Sequence, residues 1–441
     1  MPYAEMDETK LKLTLIAGHA LRDSDIQFTS LAHLLNGEFL KQCFNNLNRN
    51  KAKGVDNVGW YDYQEKLDKN IINLVDRLKN KQFNPQPARR VYIPKENGEK
   101  RPLGISTIEN KIVEKGLTVI LERIYEQDFI NNSFGFRPQR NCHQALKTID
   151  SQIIKNPINH VVEADIKGFF DNVSHELLLE FLQIRIKDRS LIYLIKKFLK
   201  AGYIDEKLLV ISEKGTPQGS ILSPLLANIF LHYVLDIWFE RIVKNHAYGY
   251  CELVRYADDF VCVVQYKKDA ERIEKALHHR FERFELLLHP AKTRKISFGR
   301  FEKENAKREG RKVNTFDFLG FTHFCDNARK GWFKVGRKTS KKKFARKCNE
   351  MTIWLKKIRN KEKPKEWWST LQSKLSGHFQ YYGVSGNYEK INAFYKHTLR
   401  VLFKWLNRRS QKRSMNWANF MKYLDKYPIP KPKIEHNFYA L

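Results

Sequence analysis

The run Leu253-Val254-Arg255-Tyr256-Ala257-Asp258-Asp259-Phe260-Val261-Cys262-Val263-Val264 decides how this chain is read. Two stretches of β-branched and aromatic residues, the types that favour strands, flank a short polar turn. That pattern predicts a β-hairpin with two carboxylates at its tip. Alone, an Asp-Asp pair is weak, because most such pairs are solvated turn residues. A third carboxylate changes the weight. His160-Val-Val-Glu-Ala-Asp165-Ile166 is another β-type run, about 90 residues upstream, and it also ends in an acid. Two divalent ions held roughly 3.5–4 Å apart stabilise both the attacking and the leaving oxygens of a phosphoryl transfer. Mg²⁺ prefers carboxylate and phosphate oxygens and keeps several waters. Asp165, Asp258 and Asp259 supply acids from two rigid elements, as such a site requires.

Working outward, residues 1 to about 85 read as helical, with apolar spacings such as Leu67, Ile71, Leu74 and Leu78. Lys53-Gly54-Val55-Asp56 is a polar break. Arg90 to Lys95 and Lys100 to Ile105 read as the arms of a hairpin turned at Asn97-Gly98, with cations on its tip and return arm. Helical patterns fill about 174–201. Gly215-Thr-Pro-Gln218-Gly-Ser-Ile-Leu-Ser-Pro224 is a Gly/Pro-rich loop feeding an apolar helix. Pro224, Asn228, His232 and Asp236 interrupt that apolar stretch, so it reads as a buried helix and not a membrane span. A helix is expected at about 268–285, an exposed basic loop at 299–314, and a strand at Thr315–Phe321. From about 335 the chain reads as helical, basic and aromatic.

The 441 residues carry 80 Lys and Arg against 49 Asp and Glu, a net +31. From Phe301 to Leu441 there are 34 Lys/Arg and 11 Asp/Glu, so +23 of the excess lies in the last third. Clustering of this kind is the footprint of a polyanion partner. Cys43, Cys142, Cys251, Cys262, Cys325 and Cys348 form no C-x-x-C pair, which argues against a zinc ribbon or a disulfide framework. No charged-then-apolar leader opens the sequence. A reducing compartment and no membrane are expected.

Tyr256-Ala-Asp258-Asp259 resembles the Y-x-D-D box of reverse transcriptases, and Asp165-Ile-Lys-Gly-Phe-Phe170-Asp171 resembles their first aspartate motif. Gly215 to Pro224 is similar to their P-Q-G loop. Phe134-Gly-Phe-Arg137-Pro, Ile93-Pro-Lys95, Leu288-His-Pro-Ala-Lys292 and Phe318-Leu-Gly-Phe321 complete the ordered set. The form of these motifs resembles the group II intron reverse transcriptase/maturase branch, from about residue 30 to the end. That resemblance implies an α+β, right-hand polymerase fold: fingers, a palm with an antiparallel sheet, a helical thumb, and a small basic C-terminal domain. The implied divisions are 1–85 for an N-terminal extension and the start of the fingers, and 86–325 for fingers and palm. Residues 335–395 would be the thumb/maturase domain, and 396–441 a DNA-binding region.

The resemblance implies Asp165, Asp258 and Asp259 as ligands of two Mg²⁺ ions, with Mn²⁺ as a substitute and the Ile166 carbonyl as a further ligand. Lys95 and Arg101 match positions that grip the triphosphate of a dNTP, in keeping with the affinity of cations for phosphate. Phe170 matches the aromatic gate against a ribose 2′-OH, although a core aromatic is the ordinary reading of such a residue, above all of Phe169. Gln218 matches a contact near the sugar. Lys292 matches a lysine that could protonate the leaving pyrophosphate. Asp171 and Asp317 read as structural, a helix cap and a strand-side carboxylate.

Gly377-His-Phe-Gln-Tyr-Tyr-Gly383 and Leu402 to Arg409 match the thumb and maturase pattern. Cations among aromatics suit backbone neutralisation and base stacking, yet aromatics at helical spacing are usually core, so most of the Trp residues are expected to be buried. The paired cysteines of a zinc-bearing endonuclease are not among these residues, and an external primer is therefore expected. The implied partners are group II intron RNA, an RNA template with a DNA primer, and target DNA. A homodimer is compatible with the resemblance, and the compartment is the bacterial cytoplasm and nucleoid. The function expected is RNA-directed DNA synthesis with help to intron splicing and mobility. A domesticated enzyme of host defence or DNA repair, and a non-catalytic RNA-binding splicing factor, stand as alternatives.

Overall fold

The structure is a computed structural model that describes residues 8–94, 100–206, 208–211, 213–290, 292–408 and 415–439. The chain divides into two compact units. The first comprises Met1–Ala145, Glu163–Cys262 and Lys268–Arg294. The second comprises Leu146–Val162, Val263–Lys267 and Lys295–Leu441.

The first unit opens with helices Glu8–Arg22, Gly37–Asn45, Trp60–Gln64 and Leu67–Lys79. The last of these buries Ile71, Leu74 and Val75, the one-sided stripe that a 3.6-residue period produces. Strands β1 (Ala88–Pro94) and β2 (Lys100–Ile105) pair antiparallel, from Arg89 opposite Ile105 to Pro94 opposite Lys100. The hairpin arms are thus as expected. Its Asn97-Gly98 turn lies outside the described residues.

Helix Ile108–Asp128 follows, capped by Thr107, whose hydroxyl accepts from the Asn110 amide. Strand β3 (His160–Asp165) leads into the four-residue helix Phe169–Asn172. The helical stretch at 174–201 is two helices, His175–Arg185 and Arg189–Lys200. Asp188 separates them and caps the second by accepting from the Ser190 and Leu191 amides, which satisfies donors that a helix start leaves open. Short strands β4 (Tyr203–Asp205) and β5 (Leu208–Val210) then extend the first hairpin into a sheet of order β2-β1-β4-β5.

The apolar helix Ser223–Leu231 is buried along its length and continues through two π-helical turns, His232–Asp236 and Phe239–Val243. Strands β6 (Cys251–Tyr256) and β7 (Asp259–Val264) come next, then helix Lys267–Arg283 and strand β8 (Arg294–Ser297). Their sheet has the order β6-β7-β3-β8. Phe260 to Val264 are all fully buried, which explains their unbroken apolar run.

The second unit holds a three-stranded antiparallel sheet of β9 (Thr315–Phe318), β10 (Phe321–Asn327) and β11 (Phe333–Thr339), ordered β11-β10-β9. Helices Lys341–Ile358, Pro364–Tyr382, Tyr388–Asn407 and Trp417–Lys426 follow. Asn387 ties sheet to helices: its Oδ1 accepts from the Thr339 amide at 2.8 Å and its Nδ2 donates to Tyr382 O at 2.8 Å. Trp367, Trp368 and Trp405 are buried, whereas Trp417 is 45% exposed.

Three expectations fail here. Thr315–Phe321 is not one strand, because Leu319 and Gly320, at φ +49° and +81°, turn the chain between β9 and β10. Residues 299–314 are not a loop throughout, because Glu302–Arg308 is a helix. Glu302 is buried and gathers the segment, accepting from Arg311 Nη1 at 2.5 Å and from the Asn314 amide at 3.1 Å. The residues from 335 do not begin a helix either. Phe333–Thr339 is a strand, because all seven of its positions pair with β10; helix starts only at Lys341. Among the described residues, no helix is long and apolar enough to cross a membrane.

Candidate active site

The two-residue turn Ala257-Asp258 joins β6 to β7, and β7 lies beside β3. Asp258 and Asp259 are thereby brought to the end of the strand that finishes at Asp165. Their mutual influence is visible in their acidities. Burial pushes the Asp258 carboxyl above the ordinary carboxylate range, and the charge of Asp165 adds to it. Asp259 is pushed up to about 7 by burial, then by Asp165, Asp258 and Glu163. Anionic carboxylates crowded into a low-dielectric site resist ionisation unless a cation answers them.

One cation does so in part. The Lys292 ammonium is ion-paired with the Asp165 carboxylate. Burial opposes its charge, but Asp165, backed by Asp259 and Asp258, holds it above the ordinary lysine range. Among the described residues, no three His, Cys, Asp or Glu side chains converge on one metal position. The donor set still fits a hard divalent ion: every group is an oxygen, and the charge exceeds what one ammonium balances. Ile166 pairs with Leu288, and the bonds of this bridge run from the His289 amide to Asp165 O and from the Lys167 amide to Leu287 O, both at 2.8 Å. The Ile166 carbonyl is therefore turned away from that segment, in the alternating manner of antiparallel pairs.

A second group of residues clusters around the Gly-rich loop. Arg101 Nε donates to Gln218 Oε1 at 2.9 Å, and Gln218 Nε2 donates to Asp171 Oδ1 at 3.2 Å. Backbone bonds fasten the loop: Gly104 N to Gln218 O at 2.6 Å, Thr216 N to Phe170 O at 2.7 Å and Gly215 N to Val173 O at 2.7 Å. Gly219, at φ +114°, has no room for a side chain, since a Cβ would lie 2.3 Å from Gly104 O. Buried Glu114 accepts from the Ile221 amide and from Ser106 Oγ, both at 2.9 Å, and so links the loop to the end of β2.

Phe170 is half-buried, with its ring 5.5 Å from Phe169 and 6.4 Å from Phe136. Phe169 is the core aromatic of the pair, packed on Phe230. Phe170, Asp171, Lys214, Gln218 and Arg90 are among the residues lining a cavity of about 310 Å³.

Of the residues singled out from sequence, Asp165, Asp258, Asp259, Ile166 and Lys292 form one group, and Arg101, Gln218 and Phe170 form the other. Lys95 lies outside the described residues. Asp317 is strand-side, accepting from Thr322 Oγ1 at 2.5 Å. Asp171 is not the cap expected of it: it lies within the short helix Phe169–Asn172, whose N-cap is Gly168, and its carboxylate instead accepts from Gln218. Sequence reading passed over Glu163, whose carboxylate accepts from Arg294 Nε at 2.9 Å. Its position two residues before Asp165, hence on the same strand face, was the available signal. Glu114 carried no signal in sequence, because its neighbours come from distant segments.

Comparison with known proteins agrees with this arrangement. Residues 93–323, just over half the chain, match the family model described as reverse transcriptase (RNA-dependent DNA polymerase). The chain is 42% identical over 233 residues to the group II intron-encoded protein LtrA of Lactococcus lactis subsp. cremoris, a match covering 52% of this chain and 38% of that protein. It is 36% identical over 243 residues to protein YkfC of Escherichia coli K12, covering 48% of this chain and 63% of that one. Nuclear intron maturase 1, mitochondrial, of Arabidopsis thaliana is 31% identical over 113 residues, covering 25% of this chain and 15% of the plant protein. The matched region thus spans less than two thirds of each relative. With the strand-end aspartate, the Tyr-Ala-Asp-Asp hairpin and the Gly-rich loop in one unit, the chain belongs to the reverse transcriptase family, whose members use divalent metal ions.

Proposed function

We propose that this protein is an RNA-directed DNA polymerase of group II intron type, which copies RNA into DNA by two-metal nucleotidyl transfer. The observation that carries this reading is the meeting of Asp165 with the Asp258-Asp259 pair, where burial first, and the acidic neighbours next, push Asp259 up to about 7. Asp165, Asp258, Asp259 and the Ile166 carbonyl would hold two Mg²⁺ ions, with Mn²⁺ able to replace them. Bound there, such ions would supply activation of the primer 3′-oxygen and charge neutralisation for the leaving pyrophosphate.

The remaining roles belong to the chain itself. Arg101, with Lys95, grips the triphosphate of a dNTP. Gln218, fixed between Arg101 and Asp171, lies beside the sugar. The Phe170 ring, braced by Phe169 and Phe136, fills the space that a 2′-OH would need. Lys292 stays protonated and donates to pyrophosphate as it departs, general acid catalysis at a ready donor.

The basic helices from Lys341 onward suit an RNA backbone. Residues 335–395 are proposed as thumb and maturase surface, and 396–441 as a region that contacts DNA. LtrA is named as a group II intron-encoded protein, and its likeness favours intron RNA as the structured partner, in splicing and mobility.

The test is primer extension on an oligo-primed RNA template with dNTPs and Mg²⁺. The parent protein should extend the primer, and Asp258→Ala should abolish extension while leaving salt-sensitive RNA binding intact. Full activity in Asp258→Ala would overturn the assignment. RNA binding without incorporation under any metal condition would revive the non-catalytic splicing factor.

A further inference from the structure

Arg255, next to the last residue of β6, is 0% exposed. Every bond of its guanidinium is directed. Nε donates to Asp236 Oδ1 at 2.8 Å and Nη2 to Asp236 Oδ2 at 2.5 Å, a two-pronged fork. Nη1 donates to Asn228 Oδ1 at 2.9 Å and to Ala257 O at 3.0 Å. Asp236 is itself fully buried and lies in the π-helical turn His232–Asp236, a type of turn that recurs at functional sites. Its other neighbour, His232, is pulled down to about 4 by burial and stays neutral. Arg255 is thus the cation that answers Asp236.

Ala257 is an unusual place for such a bond to end. It takes φ +57°, the left-handed region, which a residue with a side chain enters at a cost. The Phe134-Gly135-Phe136 segment closes on the same turn. Phe134 N donates to Arg255 O, and Arg255 N to Asn132 O, both at 2.9 Å. Asn228 Nδ2 donates to Gly135 O at 2.7 Å. A Cβ on Gly135 would stand 2.3 Å from Ala257 N. A strained residue is therefore fixed from one side by a guanidinium and from the other by a glycine backbone, immediately before two acids that must be placed accurately.

We propose that Arg255, oriented by Asp236 and Asn228, is a positioning residue for nucleotide addition: it clamps the Ala257 carbonyl and so sets the backbone from which Asp258 and Asp259 project. A space-filling role would need no charge, since buried ion pairs roughly break even against apolar residues of equal volume. Lysine cannot reproduce the arrangement, because it lacks the planar fork. The inference rests on the proposed polymerase reading, and two readouts keep their failures apart.

The experiment compares the parent protein with Arg255→Lys, Asn228→Ala and, as a control, Arg185→Lys. Arg185 is equally buried and pairs with Asp128 at 3.2 Å. One readout is steady-state primer extension, resolved into kcat and KM for dNTP. The other is hydrogen–deuterium exchange across residues 255–260 without substrates. In Arg255→Lys, kcat should fall roughly 10- to 100-fold, as misplacement of reacting groups by an ångström would cause. KM should stay within about twofold, and the turn should exchange faster. Asn228→Ala should show the same signature more weakly, and it decides the matter if Arg255→Lys does not fold. Arg185→Lys should lower Tm with kcat per folded molecule unchanged. Equal Tm losses in the two Arg→Lys variants, with kcat unaffected in both, would make Arg255 a core residue only and overturn the proposal. If the parent extends no primer, the polymerase reading falls. Faster exchange in Arg255→Lys would then still support the clamp, and unchanged exchange would remove it.

Discussion

Arg101 Nε donates to Gln218 Oε1 at 2.9 Å, joining strand β2 to the Gly-rich loop across 117 positions of sequence. The bond holds a cation and an amide side by side before any nucleotide arrives. Preorganisation of this sort lowers the ordering cost of binding. Gln218→Ala should raise the KM for dNTP about tenfold and lower kcat less, since a hydrogen bond to a charged group contributes roughly 1.5–3 kcal/mol. Steady-state extension at varied dNTP concentration checks this. An unchanged KM would separate the pair from nucleotide binding.

The Phe170 ring is held edge-on by Phe169 and Phe136, so it cannot swing aside freely. Phe170→Ala should reduce the preference for dNTP over rNTP roughly 10- to 100-fold, the range in which a pocket wall discriminates small groups. The measure is the ratio of kcat/KM for dNTP and rNTP on one template. An unaltered ratio would return Phe170 to the core with Phe169.

Asp259 yields a pH dependence whose sign follows from linkage. Folding raises its pKa from the ordinary value near 4 to about 7, by burial first and acidic neighbours next. The folded state then holds the proton more tightly than the unfolded one. Stability associated with this group is fullest below about pH 4 and is lost as pH climbs to about 7. In EDTA, Asp259→Asn should melt higher than the parent at pH 8, and the two should converge near pH 4. Mg²⁺ should raise the parent's Tm more at pH 8 than at pH 5, because the ion binds the ionised carboxylates. Parallel Tm–pH curves for the two proteins would contradict this.

Within the second unit, fully buried Arg337 pairs with buried Asp150 at 3.2 Å. Its guanidinium also lies 4.6 Å from the Phe438 ring. Removing one partner of a buried pair strands the other charge. Asp150→Ala should therefore destabilise the protein by about 3–5 kcal/mol, and Asp150→Asn should cost less because an acceptor remains. Urea denaturation followed by tryptophan fluorescence measures both, and equal small losses would show that water already reaches Arg337.

The parts of this molecule legible in sequence are those whose signal is local. The Asp258-Asp259 pair stands out because the fully buried strand β7 reads as an unbroken apolar run, Phe260 to Val264, directly after it. The β1–β2 arms stand out because a short polar turn separates two strand-like runs. The residues that hold the site were less visible. Glu114 fastens Ile221 and Ser106, and Arg255 fastens Ala257, Asn228 and Asp236, through bonds that appear only when distant segments meet. Strand β11 was hidden because Lys334, Arg337 and Lys338 make it look like the basic helix that follows. Its strand character comes from pairing with β10. Helix Glu302–Arg308 was hidden for a related reason: polar composition suggested solvent, while one acid, Glu302, organises the segment from inside.

That last arrangement bears on how the protein would meet the RNA partner proposed for it. Lys303, Lys307, Arg308 and Lys312 sit on backbone already ordered by the bonds from Arg311 and Asn314 to Glu302. A floppy basic arm surrenders its conformational freedom on contact, and that loss weakens attraction. Here the loss falls at folding instead. Against the proposed RNA, the segment would present its cations as a fixed stamp, whose grip on a phosphate backbone would depend on salt but demand little rearrangement at encounter.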